Sequence, residues 1–300
     1  MKIKFITDII NFRFNPGSFG RWKLLCPKDE RSILSAPPAV QKYFRASFTR
    51  GGVFYNKTRL SHVFCHPLLL KDLLKNINKL DLAQSNKGVL VVAGADCSLS
   101  SRLPHLKKLK PYFSQIYYEA KNIECDWVKT IPMGVNIAYL LRNGGSKILD
   151  VINSNKNKTK LIGTAFGSKW RQLNSKIGDR KNLTRFCKSS DLIENFHCPP
   201  KKYFYNLSKY KFFASPLGNG IQTPKICESI ICETVPVVTN HVAHRELRDL
   251  HGLPLLIVDK WEDLTESFLY NEWNTKYKSL DWGVEKSKFL VDNFADLYLK

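Results

Sequence analysis

Acidic side chains are scarce in this chain: 26 Asp and Glu stand against 47 Lys and Arg in 300 residues, a formal net charge of +21. No apolar run approaches the ~20 residues that cross a bilayer. The opening MKIKFITDIINF carries too short an apolar stretch for a secretory signal. None of the eight cysteines forms a Cys-x-x-Cys pair, which argues against zinc, and several lie in apolar runs where a thiol behaves as a small hydrophobe. A reduced, intracellular protein is the reading these cysteines support. Walker-type Gly-Lys-Ser/Thr, a full Gly-x-Gly-x-x-Gly, Asp-x-Asp, internal repeats and a basic tail are all missing.

What is present is enough apolar material for a large core. Hydrophobic residues make up 43% and aromatics 12% of the chain, which suits two domains of ordinary size. The positive field favours polyanions: nucleic acid, an anionic membrane or phosphorylated small molecules. The basic residues are dispersed, and the densest runs, HLKKLK and NKNKTK, read as solvated surface. A basic nucleic-acid-binding protein is the rival this charge raises. It calls for basic residues clustered with exposed aromatics, or a known module, and the sequence shows neither.

Short apolar runs recur along the chain: KIKFIT (2–7), GVLVVAG (88–94), QIYYEA (115–120), TKLIGTAF (159–166), YKFFAS (210–215), TVPVVT (234–239) and PLLIV (254–258). They read as buried parallel strands, separated by helical spacing at 67–77, 169–176, 224–232 and 261–270. This alternation predicts an α/β fold. The polar RNGGSKILDVINSNKNKTK (142–160) is the candidate linker, giving an N-terminal domain over 1–150, a C-terminal domain over 151–275 and a closing amphipathic helix over 276–300.

Between YKFFAS and TVPVVT lies SPLGNGIQTPKICE (215–228), a strand–glycine loop–helix unit. Thr223 suits the N-cap and Pro224 the first helical position. Gly218 and Gly220, with Asn219 between them, let the backbone approach a ligand and take positive φ. The helix start, with Lys225 in its first turn, forms a phosphate or diphosphate cradle. Glu228, on the same helix face, suits the hydroxyls of a ribose.

LGNGIQTPKICESIICETVPVVT resembles the donor-binding region of the exostosin-like glycosyltransferases, with Thr223, Lys225, Glu228 and Pro236 in the family's register. KLIGTAFGSKWRQL is similar to the segment that starts the same domain, with Gly163 and Arg171 matching. The similarity covers about residues 159–265. Lys225 stands for the usual Arg, which keeps the charge and loses bidentate geometry. Glu233 stands where a Gly is common.

The resemblance implies a GT-B fold of two Rossmann-like domains with a cleft between them, the C-terminal one holding a nucleotide-sugar. It implies inverting, metal-independent transfer from a UDP-sugar (xylose, glucuronate, galactose or N-acetylglucosamine) to a hydroxyl of a glycan or glycoprotein acceptor. No cofactor, metal or nucleic-acid partner is expected. The missing Asp-x-Asp speaks against the metal-dependent alternative. The leaving diphosphate would then be stabilised by Lys225, the amides around Thr223, and Arg171. The base would stack near FHCPPKKYF (196–204), a loop, and Tyr55, Trp127 and Trp170 are candidates to stack on sugar rings. The general base comes from the N-terminal domain: Asp96 follows a buried strand, His62 and His66 are i,i+4 neighbours if helical, and Glu119 ends another strand. Without the Golgi anchor of eukaryotic relatives, the chain reads as a soluble bacterial or viral member in the cytoplasm, the host's if viral.

Overall fold

The computed structural model describes residues 46–49, 52–55, 62–80, 87–134, 157–166, 179–218 and 220–289. They contain one mostly parallel and one wholly parallel sheet in two compact units, so the fold is α/β. The run at 2–7, the helix at 169–176 and most of the 142–160 linker lie outside these residues.

The first sheet holds β1 (Ala46–Thr49), β2 (Gly52–Tyr55), β3 (Val63–Cys65), β4 (Val89–Val92), β5 (Gln115–Tyr118) and β6 (Val128–Thr130), in the order β2-β1-β3-β4-β5-β6. Only the β1–β2 pair is antiparallel. Helices α1 (Leu70–Asn76) and α2 (Leu99–Leu109) bury Leu73, Leu106 and Leu109 in one core with Leu90 and Val92. Every residue of VLVV in β4 is buried, as a strand covered on both faces requires. Helix α2 contains Pro104 and opens with two serines, so its sequence disguised it.

The second sheet holds β7 (Lys160–Thr164), β8 (Glu194–Asn195), β9 (Tyr210–Ala214), β10 (Val235–Thr239) and β11 (Leu256–Val258), all parallel, in the order β11-β10-β9-β7-β8. The chain runs from β7 outward to β8, then returns to the other side of β7 for β9, β10 and β11. That reversal between β7 and β9 is a topological switch point, where doubly wound sheets bind ligands outside the carboxyl ends of their strands. The unit's helices are α3 (Asp179–Ser189), α4 (Pro200–Leu207), α5 (Pro224–Ile231), α6 (Val242–Asp249), α7 (Glu266–Glu272) and α8 (Trp282–Ser287). Phe212, Val237, Trp261, Leu269 and Trp273 share its core.

Two readings of the sequence are corrected. Residues 196–204 are not all loop, because Pro200 starts α4, its fixed φ suiting the first helical position. His62 and His66 flank a strand rather than sharing a helix, since Val63-Phe64-Cys65 between them pairs with β1 and β4. No described helix is long and apolar enough to cross a membrane.

Helix α5 ends in a left-handed turn at Glu233, φ 59°. The Glu233 amide donates to the Ile230 carbonyl and the Thr234 amide to Ser229, the Schellman pattern that normally uses glycine. The Glu233 carboxylate pairs with Lys286 on α8.

Gly163, in β7, faces the ring of Tyr210. A Cβ there would lie 2.7 Å from the ring, which stacks on Phe196 at 5.4 Å and is itself buried. Gly163→Ala is expected to destabilise the chain in urea unfolding by about 1–3 kcal/mol through overpacking. Combining it with Tyr210→Leu, which makes room, should destabilise less than the sum of the two single changes.

Candidate functional site

The glycine loop leaves the carboxyl end of β9 at the switch point. Thr164, closing the neighbouring β7, donates from its hydroxyl to the Ala214 carbonyl at 2.8 Å, and the Ser215 amide donates to Val237 at 2.8 Å, so the loop starts from a fixed point. Leu217 and Ile221 then turn inward and pack with Ala243 of α6. Gly220, Gln222 and Thr223 are buried too, and Gly218, Pro224 and Lys225 are half-buried. Asn219 and Arg171 lie outside the described residues.

Gly218 does not take a positive φ. Gly218 is needed for space instead: a Cβ would sit 3.0 Å from Nη2 of Arg180. Arg180, in the first turn of α3, donates from Nε to the Leu217 carbonyl at 3.1 Å. Beside it, Asp179 accepts from the Leu217 amide at 2.7 Å. The two residues thus hold both polar groups of Leu217. Asp179 and Arg180 were missed from the sequence, because their segment lacks the glycine–proline signature that marks the loop.

Thr223 caps α5 as expected, its Oγ1 accepting from the Lys225 amide at 3.4 Å, and the Ile226 amide donates to the Thr223 carbonyl at 3.1 Å. Pro224 has no N–H. The first amides of the helix are therefore engaged within the turn, and the positive charge at this edge comes from side chains. Lys225 Nζ lies 4.5 Å from the Tyr203 ring centroid and 5.8 Å from that of Phe213, and donates to the Tyr203 hydroxyl at 3.3 Å. Burial pulls its pKa down, with repulsion from Arg180 in the same direction and attraction to Glu228 against it. The two cations therefore feel each other at the same loop, an arrangement suited to an anion with more than one charge.

Glu228, 4% exposed, lies deeper. Burial raises its carboxyl pKa, while Lys225 and a hydrogen bond with Tyr203 hold it down. Tyr203, from α4, thus bridges lysine and glutamate. Gly163 stands one layer back, against Tyr210.

In the N-terminal unit the expected groups separate. His66, Gly94 and Glu119 gather at the carboxyl ends of β3, β4 and β5. Gly94, at φ 99°, donates from its amide to Glu119 Oε2 at 2.7 Å, and a Cβ on it would lie 3.5 Å from the His66 ring. His66 Nδ1 accepts from the Leu68 amide at 3.3 Å. Asp96 lies two residues beyond Gly94, half-buried. His62 sits at the opposite, amino end of β3, where its Nδ1 accepts from the Val89 amide at 3.0 Å. Trp127 carries Lys110 over its ring at 5.1 Å. Trp170 lies outside the described residues.

No family model matches the chain, and no curated protein matches it. Among solved structures it is similar to the α,α-trehalose-phosphate synthase (UDP-forming) of Burkholderia vietnamiensis, at 10% identity and TM-score 0.36, over 78% of this chain and 67% of that one. OtsA in its apo form matches at 9% identity and TM-score 0.38, over 79% of this chain and 72% of that one. The α,α-trehalose 6-phosphate synthase of Burkholderia multivorans matches at 10% and 0.32, over 79% and 66%. Likeness at this level assigns no substrate or reaction.

Replacing Lys225 by Met removes the cation nearest Glu228. Because Glu228 is already raised by burial, its ionised form opposes folding, and the stability it contributes is present at low pH and lost as pH rises through its folded value. Lys225→Met should therefore destabilise by roughly 1–3 kcal/mol at neutral pH. That loss should shrink on acidification, as followed by urea unfolding at several pH values, and Glu228→Gln in the same chain should remove the pH dependence.

Proposed function

We propose that this chain is a nucleotide-sugar glycosyltransferase, its donor bound at the Leu217–Lys225 turn of the C-terminal unit. The observation that carries the reading is a glycine loop at the topological switch point, with Arg180 bonded to its Leu217 carbonyl and Lys225 in the first turn of the helix that follows. A nucleoside diphosphate brings the multiple negative charge this cation pair lacks. As the sugar leaves, negative charge builds on the diphosphate, and fixed cations stabilise it more than they stabilise the ground state. Both cations belong to the protein, which supports transfer without a metal. Arg171 would add a third.

Within this reading Glu228 faces the ribose hydroxyls, and the base lies beside the His197–Pro199 segment that leads into α4 and Tyr203. Gly218 brings backbone next to the phosphates. The donor is a UDP-sugar, and the exostosin-like register of Thr223, Lys225, Glu228 and Pro236 is what favours it. Inverting transfer needs a base for the acceptor hydroxyl. The half-buried Asp96 is our choice, with His66 and Glu119 beside its loop as positioning groups. His62, at the far end of β3, is given no part. This is a GT-B reading, with transfer to a glycan or glycoprotein hydroxyl.

A thermal-shift and calorimetric panel of UDP, UDP-sugars and other nucleotides, with and without EDTA, tests the proposal. A UDP-specific shift that survives chelation is expected. Lys225→Ala and Arg180→Ala should each weaken UDP roughly ten- to a hundredfold, the worth of one charge-assisted hydrogen-bonding group. No response to any nucleotide, combined with RNA binding that falls steeply with salt, would overturn it in favour of a nucleic-acid-binding protein.

A further inference from the structure

Asp179 is 6% exposed and bonds to the loop at Leu217. Its two carboxylate oxygens do different things. Oδ1 accepts from the indole Nε1–H of Trp261 at 2.7 Å, and Oδ2 accepts from the Leu217 amide at 2.7 Å. The Thr239 hydroxyl, at the end of β10, also bonds to it. Trp261 is buried in the core of the unit, 82 residues further along the chain. A carboxylate is the side chain of this length that takes two N–H donors on two separate oxygens. An amide in its place offers one acceptor and turns a donor toward the other partner.

We propose that Asp179 is a positioning residue of the candidate phosphate site: its ionised carboxylate fastens the Leu217 amide to the Trp261 anchor, which presents the Leu217 carbonyl to Arg180 and seats the guanidinium against Gly218. The proposal rests on the reading of this turn as a diphosphate cradle. It adds the device that keeps one of the two cations in place. If the Leu217 amide is released, Leu217 loses one of its two backbone ties and can shift as a residue, its carbonyl leaves Nε of Arg180, and the guanidinium is no longer held at the loop.

Stability and placement then pull in opposite directions. Burial raises the Asp179 carboxyl above its ordinary range, more than its hydrogen bonds and Arg180 lower it. A raised acid contributes stability that is present at low pH and lost as pH rises through the folded value. The ionised form, which weakens the fold, is the one that secures the turn. A residue with a purely structural role would move stability and turn order together.

Arg180, the charged group facing Asp179, stays protonated throughout the acid range. His244 reaches the network through the Thr239 carbonyl, 2.7 Å from its Nδ1, and burial pushes its pKa down to about 4. A titration must therefore separate the two groups.

The experiment follows the Trp261 indole N–H and the Leu217 amide by NMR from neutral to acid pH, in the whole chain without ligand, and measures UDP affinity over the same range. In the wild type both resonances should move with one shared midpoint above the ordinary carboxylate range, and UDP binding should weaken with them. In Asp179→Asn that shared transition should vanish, leaving only the one that belongs to His244, and UDP should bind about ten- to a hundredfold more weakly. Asp179→Asn with Trp261→Phe removes the donor that the amide cannot accept, and should recover part of the lost affinity. Independent midpoints for the two resonances overturn the proposal, as does an Asp179→Asn chain with an unmoved Leu217 amide and unchanged UDP affinity. A wild type that ignores UDP while its two resonances still titrate together overturns the nucleotide reading and leaves the Asp179 linkage standing.

Discussion

One buried carboxylate with two N–H partners fixes the geometry on which the rest of the second unit's ligand edge depends. An unpartnered buried N–H is costly, and Asp179 answers two such groups, one in the core indole and one in the loop backbone. The loop has a second kind of hold. Its apolar side chains, Leu217 and Ile221, hold it by packing, which resists withdrawal but fixes orientation poorly. The carboxylate supplies the direction, and Arg180, the next residue, converts that direction into charge at the loop surface.

A glycine loop running into a helix suggests an anion held by bare amides. Here the helix amides are occupied by the Thr223 cap and the first turn, and the side chains of Lys225 and Arg180 supply the charge. Aromatic faces, from Tyr203 and Phe213, replace water around the lysine. Such a site can hold a cation at partial burial because ring quadrupoles and Glu228 offset part of the desolvation.

Much of this was legible in the sequence because it is local. Apolar runs such as VLVV and YKFFA are strands wherever they sit in a parallel sheet, and Thr223-Pro224 marks a helix start by side-chain chemistry alone. Lys225 and Glu228 follow from helical spacing. What was not legible is what the fold brings together from a distance. Asp179 and Leu217 are 38 residues apart, and Asp179 and Trp261 are 82 apart. No periodicity encodes such pairs. The glycines show the same limit from the other side: Gly163 and Gly218 read as ligand-approach positions, while Tyr210 and Arg180 are the neighbours that need their missing side chains. His62 and His66 look equivalent in the sequence, and the direction of a three-residue strand puts them at opposite ends of the sheet.

The left-handed turn at Glu233 has a mechanical consequence. Glycine would relieve the backbone there but could not reach Lys286. By keeping an acid at that corner, the chain couples the far end of the lysine-bearing helix to the segment 282–287, so the two behave as a single lever. Any tilt of the Lys225 end must either drag the 282–287 helix along or rupture its clasp.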